Sequence, residues 1–334
     1  MSSELAIYKQ NRILELQNTY NSTVAALLST LNANTRVIQN SRLSVKVKQT
    51  NINNLNTQYN ANVNNLKIAL NKNISLIQNF IPKPITMNKN KKALLIGINY
   101  TGTSNELYGC INDVNSINER ITKMDGFSNI TILTDLTSKR ATRDNILSEL
   151  KNLLVNSQAG DLLFLLYSGH GSYTIDRNND ETDGRDELII PCDLKTIVDD
   201  ELKSIIQSNL KQNVTLFAMF DSCFSGSVLD LRYQYIDSLN YDNYTENDKE
   251  AITIGNVFMI SGCTDEQTSA DSVFDNKANG AMTWALLESL NQTPSASWRE
   301  LVKSMRDILK KSQFSQIPQF SSGKFVDIDT TLFI

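Results

Sequence analysis

Neither glycine nor proline occurs in the first 81 residues of this 334-residue chain, whereas all 13 glycines and all 5 prolines follow. A stretch that lacks both the residue suited to left-handed turns and the residue that breaks helices is free to run as long uninterrupted helix. Its apolar residues support this. Ile13, Leu16, Tyr20, Val24, Leu27 and Leu31 form one series, and Ile52, Leu55, Tyr59, Val63, Leu66, Leu70, Ile74, Ile77 and Ile81 form another, both in steps of three and four. The period is near 3.6 and closer to an 11-residue repeat than to a heptad, so no strongly left-handed supercoil is implied. Between the series, Leu43, Val45 and Val47 alternate, marking a break or a short extended piece. We expect two long amphipathic helices, folded back as a hairpin. Nineteen asparagines in residues 1–90 lower helix propensity, so packing or a partner must stabilise it. Pro82-Lys83-Pro84 then closes a helical, Asn-rich N-terminal arm over residues 1–81 and opens a linker over 82–91.

From residue 92 to 334 short apolar runs alternate with helical patterns. Ala93–Ile98, Ile130–Thr134, Leu162–Tyr167, Leu188–Ile190, Val214–Phe220 and Val257–Ile260 read as strands, with helices near 112–124, 142–156, 199–209, 280–290 and 297–311. This predicts an α/β domain with a mainly parallel central sheet and helices on both faces. In such sheets chemistry gathers at the carboxyl ends of the strands.

Charge divides along the same boundary. Residues 1–90 hold ten Lys/Arg and two Asp/Glu, a net of +8, which leaves 22 against 34, a net of −12, for the remainder. A basic arm suits nucleic acid or an anionic membrane, or docks on its own acidic domain. Its charges are spaced rather than clustered, without interleaved aromatics, which favours intramolecular docking, and nucleic acid is not expected as a partner. No apolar stretch approaches the ~20 residues of a membrane span, and Met1-Ser2-Ser3-Glu4 does not open a secretory signal. The four cysteines are scattered and His170 is the sole histidine, poor material for structural zinc. Free thiols in a reducing cytoplasm are the expectation.

That histidine follows the apolar run Leu162–Tyr167, in Ser168-Gly169-His170-Gly171. Cys223 follows the strand Val214–Phe220, in Asp221-Ser222-Cys223-Phe224-Ser225-Gly226. A cysteine nucleophile needs a neighbouring base, because an unperturbed thiol with a pKa near ~8.5 is only a few per cent ionised at neutrality. Imidazole titrates in the right range for that base. The small-residue turns supply Gly171 N–H and Cys223 N–H as candidate oxyanion donors. A structural cysteine and an incidental histidine are the plain alternative, and two strand-end turns each carrying half of a Cys/His pair argue against it.

The two motifs resemble those of metacaspases, cysteine peptidases of the caspase-like fold. The resemblance runs in order from about 92 to 334, through Leu107–Asp113, Asp183–Glu187, Val198–Leu202, Ile260–Ala270, Gly280–Thr283 and Gln316–Gln319. It implies a caspase–haemoglobinase sandwich and a Cys/His dyad, with His170 as base then acid and Cys223 as the acylated nucleophile. It implies cleavage after Arg or Lys, with Asp113 and Asp221 at the primary-specificity positions and Cys110 and Ser168 beside them. Two carboxylates in a slot favour a cationic side chain; Asp113 also stands where it could cap the helix that follows. Asp186, Asp199, Asp200 and Asp230 match the family's calcium positions, and oxygen-only ligands suit Ca²⁺. The plain alternative is a set of solvated acids. No organic cofactor is implied.

Phe224 stands where the family commonly has histidine, and the short gap from Cys223 to Val257 resembles the type I arrangement. The helical arm departs from the usual type I prodomains. Lys277 is a candidate self-cleavage site, or an unused surface lysine. The expected activity is a calcium-stimulated endopeptidase acting on proteins or peptides with basic residues. The alternative is a catalytically weak metacaspase-like scaffold that recruits partners through the arm.

Overall fold

The computed structural model describes residues 3–79, 90–175, 185–222, 228–235, 245–246, 253–262, 271–274, 277–324, 326 and 328, with the backbone alone at 3–8, 11, 12, 15, 245–246, 271–274 and 277. The chain divides into two compact units, Met1–Pro84 and Ile85–Ile334. The expected Pro82-Lys83-Pro84 break lies outside the described residues.

The first unit is two helices, α1 (Ser3–Asn40) and α2 (Val45–Asn79), packed as a hairpin. Their facing stripes, among them Tyr20, Val24, Leu27 and Leu31 of α1 and Leu55, Tyr59, Val63 and Leu66 of α2, are half-buried. Two helices alone cannot enclose a core, so the stripes stay partly wet. Lysines from each helix stitch the other's end. Lys9 Nζ donates to the Gln78 carbonyl (2.8 Å) and Lys48 Nζ to the Gln39 carbonyl (2.7 Å). These are last-turn carbonyls that have no partner within their own helix. The break at 41–44 is present, but no extended piece forms: Val45 and Val47 already belong to the first turn of α2.

The second unit begins with β1 (Lys91–Gly97), α3 (Cys110–Thr122), β2 (Phe127–Thr134), α4 (Arg143–Val155) and β3 (Leu162–Ser168). A small antiparallel sheet follows: β4 (Gly171–Ile175), β5 (Arg185–Ile189) and β6 (Ile197–Val198). Then come α5 (Asp199–Asn209), β7 (Thr215–Asp221), β8 (Tyr233–Tyr235), β9 (Thr245–Glu246) and β10 (Asn256–Ser261). The chain continues through the hairpin β11 (Asp271–Phe274) and β12 (Lys277–Gly280), then α6 (Ala281–Gln292), α7 (Trp298–Lys311) and β13 (Gln319–Ser322). The main sheet runs β2-β1-β3-β7-β10-β13-β8-β9, parallel from β2 to β10 and antiparallel beyond.

Strand alternation feeds two cores. Leu95, Phe164, Leu166, Phe217 and Met219 pack with α3, α6 and α7 on one face. Leu94, Ile96, Leu163, Leu165, Leu216 and Ala218 pack with α4 and α5 on the other. Every residue of β3 and β7 is buried, as expected of parallel strands covered on both faces. The parallel strands of the main sheet and their helices match the α/β expectation, and Leu188–Ile190 overlaps β5 of the small sheet. The antiparallel strands β4, β6, β8, β9, β11, β12 and β13 are too short or too polar to stand out in the sequence.

Gly97 shows how closely the helix layer sits. A Cβ there would lie 2.5 Å from the Cys110 carbonyl oxygen and 2.6 Å from Val114 Cγ2, so α3 lies directly on the end of β1. Gly97→Ala is therefore expected to destabilise the second unit by about 1–3 kcal/mol, the usual cost of overpacking. Both tryptophans, Trp284 and Trp298, belong to this unit, so the urea midpoint of tryptophan fluorescence reports it without the helical arm.

Candidate active site

Three parallel strands end level with one another. Gly97 pairs with Ser168, and Ser168 pairs with Asp221, across β1, β3 and β7. The Gly169 N–H reaches across to the Asp221 carbonyl (3.4 Å). His170 lies two residues past Ser168. Cys223 lies two residues past Asp221 and is itself outside the described residues.

The backbone of His170 is pinned from both sides. Its N–H donates to Tyr100 Oη (2.9 Å), and its carbonyl accepts from Tyr167 Oη (2.7 Å). Tyr100 Oη in turn donates to the Ile190 carbonyl (2.5 Å), and its ring lies against the imidazole with centroids 4.6 Å apart. Burial raises both phenols above their ordinary value, so they remain protonated donors at any physiological pH. Tyr100 adopts φ +52°, an uncommon conformation for an aromatic residue, and the hydroxyl contacts hold it there. His170 Nε2 lies 2.7 Å from the Asn105 carbonyl oxygen. A carbonyl only accepts, so Nε2 carries the proton and a neutral ring keeps its Nδ1 lone pair. Tyr100 and Asn105 were not singled out in the sequence, because a backbone carbonyl and a turn tyrosine leave no motif. Gly171 opens β4 immediately beyond the histidine.

Asp113 and Asp221 come together around Gly280. Asp113 is fully buried; it accepts from Ser168 Oγ (2.7 Å) and from the Gly280 N–H (2.9 and 3.1 Å to its two oxygens). Asp221, also buried, accepts from Thr283 N–H and Thr283 Oγ1, both at 2.9 Å. A Cβ on Gly280 would lie 2.7 Å from Asp113 Oδ2 and would overlap the Asp221 carboxylate, so only glycine lets both acids close on this point. Asp113 does not cap its own helix. It stands a full turn inside α3, whose N-cap is Gly109 with no side-chain bond. Cys110 is buried at the first residue of α3, and Ser168 ends β3 with its hydroxyl on Asp113. Lys277 begins β12, the strand that ends at Gly280; Asn112 Nδ2 ties that strand to α3 through the Ala278 carbonyl (2.8 Å).

A second acidic group forms from Glu187, Asp199 and Asp230, all buried, which bring one carboxylate oxygen each within 4.8 Å of the others. Asp199, the first residue of α5, accepts from the Glu187 N–H (2.6 Å) and the Asp200 N–H (2.7 Å). Its carboxyl is pushed up to about 7, by burial first and then by the neighbouring Asp230 charge. Lys203 Nζ stands 3.6 Å from Asp230, which sits in a left-handed turn with φ +42°. The group overlaps the expected set of Asp186, Asp199, Asp200 and Asp230 without coinciding with it. Asp199 and Asp230 join the group, Glu187 replaces Asp186, and Asp200 stays outside it. Strand alternation puts Asp186 and Glu187 on opposite faces of β5, and one helical step turns Asp200 away from Asp199. Asp186 still lies near enough to raise Asp199. An all-oxygen carboxylate set of this kind fits a hard divalent cation such as Ca²⁺.

Among the described residues Cys110 and Cys192 are free thiols, and no helix is long and apolar enough to cross a membrane.

Residues 91–232 match the metacaspase, peptidase C14 domain family. Metacaspase-1A of Neurospora crassa is 38% identical over 291 residues, covering 72% of this chain and 64% of that protein. Metacaspase-1 of Meyerozyma guilliermondii is 35% identical over 72% of this chain and 71% of its own length, and that of Saccharomyces cerevisiae 36% over 72% and 68%. A crystal structure from Geobacter sulfurreducens superposes with a TM-score of 0.54 at 28% identity, covering 71% of this chain and 95% of that one. With a mainly parallel sheet that carries a histidine past β3 and a cysteine motif past β7, the chain belongs to the metacaspases, a family of the C14 peptidases.

Proposed function

We propose that this chain is a cysteine endopeptidase that cleaves after Arg or Lys, is stimulated by Ca²⁺ and cuts itself after Lys277. The observation that carries the reading is the pairing of Ser168 with Asp221, because His170 and Cys223 each follow a paired residue by two positions. Adjacent strands lie about 4.8 Å apart, which suits a proton transfer between residues just beyond their ends.

In this mechanism His170 Nδ1 takes the Cys223 thiol proton, while the Asn105 carbonyl steadies the imidazolium through Nε2–H. The thiolate attacks the scissile carbonyl carbon, and Gly171 N–H and Cys223 N–H hold the oxyanion. His170 returns the proton to the leaving amine. It then activates the water that hydrolyses the thioester. Asp113 and Asp221 receive the basic side chain of the residue before the cut, helped by Cys110 and Ser168 at the pocket wall. A calcium ion at Glu187, Asp199 and Asp230 would join three carboxylates that otherwise repel. The free thiols suit a reducing, cytoplasmic setting.

Fluorogenic peptides with Arg, Lys or Asp at the cleaved position, assayed with Ca²⁺ or chelator, test the reading. Cys223→Ala should fall to background and His170→Ala should lose about 10²–10⁴-fold in kcat/KM, since no second histidine can substitute. Asp113→Asn keeps one oxygen to accept from the Gly280 N–H and turns the other position into a donor that the Ser168 hydroxyl can accept, while it removes a charge, so turnover of Arg substrates should drop roughly 10–100-fold with the fold intact. Binding of basic peptides with no turnover under any condition would instead support the scaffold reading, and cleavage after Asp would overturn the role of the two carboxylates. Lys277→Ala should leave the chain as a single band where the parent is processed.

The calcium site carries its own pH signature. Asp199 holds a proton up to about pH 7, and that proton must leave before a metal binds. Half-saturating Ca²⁺ should therefore be higher at pH 6 than at pH 8, read by calorimetry. Without metal the sign reverses for stability: a carboxyl raised from 3.8 to about 7 stabilises the fold fully below its unfolded value and loses that contribution as pH rises through 7. Asp199→Asn with Asp230→Asn should abolish both calcium binding and the activity response.

A further inference from the structure

The closed end of the helical hairpin combines two features. The first is exposed aliphatic surface. Of the fourteen exposed large hydrophobic side chains in the described protein, four fall in the eleven residues from 37 to 47: Val37 (70% exposed), Leu43, Val45 (83%) and Val47. The second is unopposed positive charge. Arg42 and Lys46 lie in the same stretch, Arg36 and Lys48 flank it, and no Asp or Glu occurs anywhere between Glu15 and Glu106.

The tip is also ordered by its own bonds. Ser41 Oγ and Ser41 N–H donate to the Ile38 carbonyl (2.6 and 3.1 Å), Lys48 N–H to the Ser44 carbonyl (2.9 Å), and Lys48 Nζ to the Gln39 carbonyl (2.7 Å). These bonds hold the last turn of α1 and the first turn of α2 in place, so the aliphatic residues stay outside when the hairpin is formed. Exposing four of them at a single turn is unfavourable in water. We propose that this tip is a docking surface for an anionic lipid membrane: Val37, Leu43, Val45 and Val47 enter the headgroup boundary while Arg36, Arg42 and Lys46 engage lipid phosphates and carboxylates. Charge complementarity selects an anionic surface. The aliphatic residues select a lipid over a nucleic acid, because residues 36–48 contain no aromatic ring on which a base could stack. Attachment is peripheral, consistent with the lack of a membrane-spanning helix among the described residues. The peptidase reading is not required for any of these steps.

The test is co-sedimentation of the full chain with phosphatidylcholine vesicles, with and without phosphatidylserine, with Cys223→Ala as a common background so that no proteolysis releases the arm. Binding should need phosphatidylserine and weaken with salt. Arg42→Gln with Lys46→Gln should weaken it roughly 25-fold, about fivefold per cation. Val37→Ser with Val45→Ser, at unchanged charge, should weaken it on the order of tenfold. Lys67→Gln with Lys72→Gln removes the same charge from the middle of α2 and should have little effect. Helical circular dichroism identifies any variant that loses the hairpin. Failure to bind, equal binding to neutral vesicles, equal loss from the two lysine-containing pairs, or indifference to the valine substitutions would each overturn the proposal. Binding to soluble polyglutamate as tight as to vesicles would do so in favour of an acidic protein surface.

Discussion

Seven consecutive residues of β3 and seven of β7 are buried on both faces, and they pair in parallel from Leu162 with Thr215 to Ser168 with Asp221. Neither strand can slip by one position without sending Phe164, Phe217 and their neighbours into the wrong core. The register is therefore set by apolar packing well away from any reactive group. Its consequence appears only at the strand ends, where it levels the starting points of the histidine turn and the cysteine motif. Precision at the site is inherited from bulk hydrophobic sorting, which is why the functional residues themselves can lie in turns of small and polar residues.

The unit also gathers acids at two places and handles their repulsion differently. At the first, Asp113 and Asp221 receive neutral donors from Ser168, Gly280 and Thr283, which solvate the carboxylates without cancelling their charge. At the second, Asp199 holds a proton near neutrality and Lys203 stands against Asp230, so the charge is already partly offset. An ion would displace the proton there.

The main sheet was legible because parallel strands covered on both faces must be continuously apolar, as Leu162–Tyr167 and Val214–Phe220 are. Helix α5 was read with the bounds it has, 199–209, since its acidic first turn and apolar spacing agree. The short antiparallel strands escaped notice because β4 is half exposed and β8 and β9 run only two or three residues. In the acidic cluster, Glu187 was missed for a geometric reason. Sequence shows which acids are near in number, but the face of β5 decides between Asp186 and Glu187. The left-handed turn at Asp230 likewise delivers its carboxylate to a group whose other members lie more than thirty residues away. The alternative role for Asp113 as a helix cap failed on one turn of helix, a distance no composition reveals.

Among the described residues His170 is oriented by a backbone carbonyl rather than by a carboxylate. A carboxylate beside imidazole stabilises the cation strongly and raises its basicity, which an alcohol nucleophile with a very high pKa requires. A neutral carbonyl at Asn105 fixes the tautomer and accepts the Nε2 proton but adds no formal charge. Tyr100 and Tyr167 reinforce the same arrangement, because their buried hydroxyls hold the main chain of His170. The main chain and the tautomer of the one histidine are thus fixed by contacts that lie outside the motif containing Cys223.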